Sequence, residues 1–171
     1  KNSANFVALS PLSYLSRTAK VYPDRLAVIY GEQRQTWGQT YTRCCKLAGA
    51  LAARGIGAGD TVAVMLPNVP AMLEVHFGVP MTGAVLNTLN TRLDAEAICF
   101  MLQHGEAKVL LTDREFAPVI ERALAMMGDK RPLVIEVEDD AAPAGKHLGE
   151  ISYEAFLAQG DVKFAWKLPA D

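Results

Sequence analysis

A chain of 171 residues, half of them hydrophobic and with a net charge of −2, is long enough for one domain with a core of its own. That charge balance provides no electrostatic footprint for nucleic acid or an anionic membrane, no apolar run approaches the length of a membrane span, and Lys1 to Asn5 does not open as a secretory leader does. Cys44, Cys45 and Cys99 form an odd set without C-x-x-C spacing, which suits small core residues in a reducing, cytoplasmic compartment.

The first predicted element is a helix over 11–21, with Ser10 placed to cap it and Pro11 suited to its first turn; Pro23 ends it. Residues 26–30 and 33–37 read as strands around the two-residue turn Gly31-Glu32, and so as a β-hairpin. Thr40 is expected to cap a long helix to Arg54 with Leu47, Ala48 and Leu51 on its inner side. Gly55, Gly57 and Gly59 then carry the chain into a strand at Val62.

Two closely spaced βα units follow. Val62 to Leu66 is a short apolar run broken by Pro67-Asn68; Ala71 to Thr82 carries apolar residues at helical spacing until Gly83; Ala84 to Asn87 starts another strand. Asp94 opens the next helix, with Glu96 in its first turn and Ile98, Met101 and Leu102 as its buried stripe. Lys108 to Thr112 is a strand, Asp113 begins a helix to about Met127, and Leu133 to Val137 is a fourth strand of parallel type. Residues 138–150, rich in acids, Ala, Pro and Gly, predict a flexible surface loop, and Tyr153 to Gln159 a short helix stopped by Gly160.

The fold class expected from this order is α/β: βαβ alternation building a mainly parallel, flavodoxin-like sheet flanked by helices, with an N-terminal β-hairpin. Ligand-facing loops should then collect at the carboxyl edge of the strands, where Asn68, Asn87, Asn90 and Arg92 fall. Gly55-Ile56-Gly57-Ala58-Gly59 precedes its strand, whereas a dinucleotide fingerprint follows one, so it is read as a turn. His76, mid-helix among apolar neighbours, is read as a hydrogen-bonded core or interface residue; His104 sits at a helix end and His147 in the polar loop. No pair of His, Cys or acidic residues has metal-ligand spacing, and no metal site is assigned.

Several stretches carry a wider likeness: Pro23-Asp24-Arg25-Leu26-Ala27-Val28, Thr36-Trp37, Leu66-Pro67-Asn68, Gly83-Ala84-Val85-Leu86-Asn87, Asn90-Thr91-Arg92-Leu93, Lys108 to Asp113 and Ser152 to Leu157. Together they make nearly the whole chain resemble the N-terminal region of the acyl-adenylate-forming enzymes, in particular the acyl-CoA synthetases of short, medium-chain or aryl-substituted acids. The resemblance implies a ligase that joins a carboxylic acid to CoA through an acyl-adenylate, using ATP, Mg2+ and CoA. The phosphate loop and the C-terminal domain with its catalytic lysine are expected outside these residues, so 1–171 is read as an N-terminal subdomain whose first partner is the rest of the ligase chain. Self-association into a homo-oligomer is a further expectation, from helix faces left uncovered.

No catalytic residue is assigned here, and neither ATP nor metal is expected to bind tightly to this part alone. Arg92 is the one candidate: in such synthetases the Arg of a similar Asn-x-Arg-Leu motif lies near the nucleotide phosphates of CoA, and a guanidinium grips phosphate oxygens with a fixed fork of donors. Thr91 stands where many relatives carry Pro. The competing reading of Arg92 is an exposed ion pair with Asp94 or Glu96. Two alternatives for the whole remain: a free-standing flavodoxin-like binding or signalling module, and an adenylation enzyme with an acceptor other than CoA.

Overall fold

The computed structural model describes residues 10–139, 141–142 and 145–168. Helix α1 (Pro11–Val21) is capped by the Ser10 side chain, which accepts from the Leu12 N–H. The hairpin β1 (Leu26–Tyr30) and β2 (Gln33–Thr36) is antiparallel, and Gly31 at its tip takes a φ of +53°, a left-handed conformation that glycine adopts without strain. The cap of helix α2 (Trp37–Ala53) lies four residues ahead of the expected one. Thr36 is the cap, because Gln39 completes a reciprocal capping box with it: the Thr36 hydroxyl accepts from the Gln39 N–H and the Gln39 side chain accepts from the Thr36 N–H. Thr40 is instead buried within the helix.

The main sheet contains β3 (Thr61–Met65), β4 (Val85–Thr88), β5 (Ala107–Asp113), β6 (Leu133–Val137) and β7 (Ile151–Ser152). Its order is β4-β3-β5-β6-β7 and every pairing is parallel, which is the flavodoxin-like order expected of the alternation. Helix α3 (Pro70–Met81) joins β3 to β4, α4 (Ala95–His104) joins β4 to β5, α5 (Ala117–Met127) joins β5 to β6, and α6 (Tyr153–Ala158) follows β7. The helix predicted from Asp113 is split: Asp113 caps a 3-10 turn at Arg114–Phe116, and α5 begins behind it with proline in its first turn. Strand β7 was not expected, since two residues carry no readable periodicity.

Alternating side chains sort the core into two faces. Val62, Val64, Val109, Leu111 and Ile135 pack under α2, α3 and α6, whereas Ala63, Met65, Leu110 and Val134 pack under α4 and α5. Helix α3 is apolar on nearly every side because it lies between the sheet and α2, leaving Leu73 and His76 as its exposed side. On the outer side of α2, Cys44, Cys45 and Ala48 meet Leu12 and Leu15 of α1, with Phe164 and Trp166 packed beside them. All three cysteines are free and buried, as the sequence suggests.

Backbone closeness fixes that outer layer. A Cβ on Gly160 would fall 1.8 Å from the Lys46 carbonyl oxygen, and one on Gly49 would fall 2.6 Å from the Asp161 nitrogen; both obstacles are main chain and neither can rotate away. Gly160→Ala is therefore expected to lower unfolding free energy by about 1–3 kcal/mol through forced displacement of α6 from α2, read as a lower denaturation midpoint in urea with little change of slope.

Candidate functional site

The carboxyl edge of the sheet gathers four loops: 66–69 after β3, 89–94 after β4, 114–116 after β5 and 138–139 after β6. Arg92 lies in the second of these, where the sequence placed it. Its backbone N–H donates to Asn90 Oδ1 at 2.9 Å, and Asp94 Oδ1 accepts from the Ala97 N–H at 2.8 Å to cap α4. The loop is thus held by two side-chain oxygens, and Asp94 is used as a cap. The Arg92 side chain is exposed and forms no ion pair with Asp94 or Glu96, so the competing reading is not realised in this structure.

At the other end of the same edge a cleft of about 760 Å³ opens between the hairpin and β6, walled by Tyr30, Arg43, Val69, Val137, Asp139 and Tyr153. The Tyr30 hydroxyl donates to Asp139 Oδ2 at 2.5 Å. That bond, then burial, then the Asp139 charge push the phenol up to about 12, so it stays a proton donor at neutral pH.

Behind the wall lies a fully buried carboxylate, Glu74 of α3. Arg43 Nε donates to it at 2.6 Å, the Tyr153 hydroxyl at 2.7 Å and Gln35 Nε2 at 3.3 Å. Arg43 also forks onto the exposed Glu154, with Nη1 at 3.0 Å and Nη2 at 2.5 Å. Burial works against the Arg43 charge, but Glu154 and Glu74 outweigh it, and the guanidinium holds its proton more tightly than usual. Burial and the Glu74 charge push the Tyr153 phenol and the Cys44 thiol well up, so neither is a nucleophile. Sequence reasoning did not single out Glu74, although a lone acid in an otherwise apolar helix was a signal.

A second cluster converges on Glu136. Arg114 Nε bonds Glu136 Oε1 at 2.5 Å, and its guanidinium also meets Glu138 and His147 Nδ1. The N–H groups of Leu148 and Gly149 donate to Glu136 Oε2 at 2.8 and 3.2 Å. Burial raises the Glu136 carboxyl, but Arg114 and those two N–H groups outweigh it and leave it below its ordinary range. The described part of the loop expected to be flexible is thus pinned at both ends; positions 140, 143 and 144 lie outside the described residues, as do Lys1 to Asn5.

Donor atoms of Glu136, Glu138 and His147 lie within 4.8 Å of one another, a convergence that their sequence spacing does not reveal. A guanidinium already holds the centre of this set, so it does not fit the Mg2+ expected for the whole ligase, and no step is assigned to a metal here. His76 is exposed rather than in the core, with Nδ1 2.7 Å from the Met72 carbonyl oxygen. His104 stacks on Phe100 at the end of α4, ring centroids 5.4 Å apart.

The profile described as "AMP-binding enzyme" matches residues 15–162. The chain belongs to the AMP-binding enzyme family. It is 48% identical over its full length to an acetate/butyrate–CoA ligase of Arabidopsis thaliana described as peroxisomal, and 44% identical over its full length to an acetate–CoA ligase of Humulus lupulus. A peroxisomal benzoate–CoA ligase of Arabidopsis thaliana is 41% identical over 92% of the chain. The chain spans about a third of their length: 32, 32 and 28%. Among solved structures, an anthranilate–CoA ligase bound to anthranoyl-AMP superposes with a TM-score of 0.82 at 18% identity, over 98% of this chain and 31% of that one. A luciferase-like enzyme of the mealworm Zophobas morio gives 0.77 at 20% identity, over 98% of this chain and 39% of that one. At such identities these two superpositions establish the fold.

Cutting the Glu74 network at its centre should be costly. Glu74→Ala leaves the largely buried Arg43 with only a solvent-facing partner and should cost about 3–5 kcal/mol, measured by urea unfolding. Arg43→Met with Glu74→Leu, which removes both charges, should recover much of that loss.

Proposed function

We propose that this chain is the N-terminal subdomain of an acid–thiol ligase that activates a carboxylic acid with ATP to an acyl-adenylate and passes the acyl group to CoA. The observation that carries the reading is identity of 41 to 48% with three relatives named as acetate–, butyrate– or benzoate–CoA ligases. The substrate class is a short-chain or aryl carboxylic acid, the classes in the names of those proteins. A carboxylate is a poor electrophile until adenylate replaces its oxygen as the leaving group, and positioned donors must offset the charge that develops in that step. Those donors, and the magnesium that ATP brings, belong to the remainder of the ligase. The compartment is a reducing one; the relatives described as peroxisomal favour the peroxisome over the cytoplasm expected from cysteine usage, and imaging of the tagged intact protein decides between them.

Within this unit Arg92 is the residue that grips a CoA nucleotide phosphate. Its guanidinium is exposed at the carboxyl edge, with the loop backbone held by Asn90. In the intact ligase, Arg92→Ala should raise the apparent KM for CoA roughly ten- to a hundredfold, the worth of a charge-assisted hydrogen bond, while acid- and ATP-dependent pyrophosphate release stays near wild type. Arg92→Lys should recover part of the loss. Equal losses in both half-reactions would assign Arg92 to the adenylation site or to folding.

The chain by itself should neither adenylate acids nor bind ATP. Its carboxyl edge presents Pro67-Asn68-Val69 after β3 and acidic side chains after β5 and β6, none of which cradles phosphates. Calorimetric titration of residues 1–171 with Mg-ATP should be flat; micromolar binding at a defined stoichiometry would relocate the nucleotide site.

A further inference from the structure

Asp113 ends β5 beside β3, where the strand order reverses and where parallel sheets of this kind take ligands. The residue is fully buried. Its Oδ1 accepts from the Glu115 N–H at 2.9 Å, whereas Oδ2 has no partner among the described residues. A buried carboxylate oxygen left unbonded is costly, so native structures seldom leave one. Strand alternation sets Asp113 on the side of Val109 and Leu111, beneath the hairpin that carries Tyr30.

The charged and titratable groups around it are Tyr30 of β1, Arg114 and Glu115 of the 3-10 turn, Glu136 of β6 and Asp139 beyond β6. Arg114, the one cation among them, is committed to Glu136 and Glu138. Burial pushes the Asp113 carboxyl up, with Asp139 adding to it, and burial followed by Asp113 and Asp139 does the same to Glu115. The corner holds more carboxylates than cations.

We propose that this corner receives the head group of a lysine or arginine from the part of the ligase beyond these 171 residues, bonded to Asp113 Oδ2 and balancing Glu115 and Asp139. This rests on the reading of the chain as one unit of a longer ligase, and the relatives' threefold greater length leaves ample sequence to supply the side chain. A phosphate would be repelled. A metal ion is disfavoured because Asp113, Glu115 and Asp139 do not converge to ligating distance, unlike Glu136, Glu138 and His147. A long basic side chain needs only one close contact and can balance the other two charges from several ångströms away.

The test uses the intact ligase. Asp113→Asn keeps the shape and the capping oxygen. With a cation present, the folded carboxyl titrates below its unfolded value, so its stabilisation is complete above that value and fades as pH falls through the folded one. The variant should then melt about 2 °C or more below wild type near pH 8, with the gap closing toward about pH 4. Without a cation the folded carboxyl titrates above its unfolded value and destabilises at high pH, so a variant as stable as wild type or more stable near pH 8 overturns the proposal. Glu115→Gln, at an exposed position, should lose stability with the same sign and decides the matter if Asp113→Asn does not fold. Chelator and added Mg2+ should leave the wild-type melting temperature unchanged; a rise with Mg2+ that Asp113→Asn abolishes would overturn the basic side chain in favour of a metal. Thioester formation by the wild-type ligase tests the functional reading separately, since it does not depend on which group neutralises Asp113.

Discussion

Everything on the α2 side of this sheet depends on one buried carboxylate. Glu74 sits at zero exposure in α3 and is met by Gln35 from β2, Arg43 from α2 and Tyr153 from α6. Apolar packing alone tolerates sliding of one helix on another, whereas a desolvated charge does not, because leaving its donors costs several kcal/mol. The hairpin, two helices and the segment after β7 are thereby set in one register. The Tyr30–Asp139 bond repeats the arrangement at the rim, tying β1 to the exit of β6.

That register gives the carboxyl edge its electrical character. Arg92 marks the β4 end as cationic, while Asp113, Glu115, Glu138 and Asp139 make the β5 and β6 end acidic. In a sheet of this order the loops of one edge share a rim, so a phosphate-bearing ligand meets opposite potentials along it. Charge therefore sorts the rim before any shape does.

The regular part of this architecture was legible because its signals are local. Period-two and helical patterns place four of the five sheet strands, and Ser10, Asp94 and Gly83 mark ends where expected. Thr40 was the expected cap of α2, and the signal for Thr36 lay in Gln39, whose side chain completes the box. What stayed hidden is contact between distant positions. Glu136 meets His147 and Leu148 only because a loop folds back, and no spacing rule anticipates that. Asp113 looked like a helix start and is one, yet its second oxygen became informative only when burial was known. The sheet order itself is shared by flavodoxin-like modules and ligases alike, and the sequence match separates them.

The layer outside α2 has a consequence for the order of events on the ribosome. Helix α2 emerges early, but three of its side-chain partners come late: Arg43 with Glu154, Arg54 with Gln159 and Tyr41 with Trp166 are separated by 111, 105 and 125 residues. Loops of that length close slowly, and an apolar helix face waiting for them is exposed to wrong partners. Vectorial synthesis therefore holds the outer side of α2 unfinished until almost the whole of this unit has left the exit tunnel, which makes its Cys44, Cys45 and Ala48 stripe the stretch most in need of a chaperone's cover.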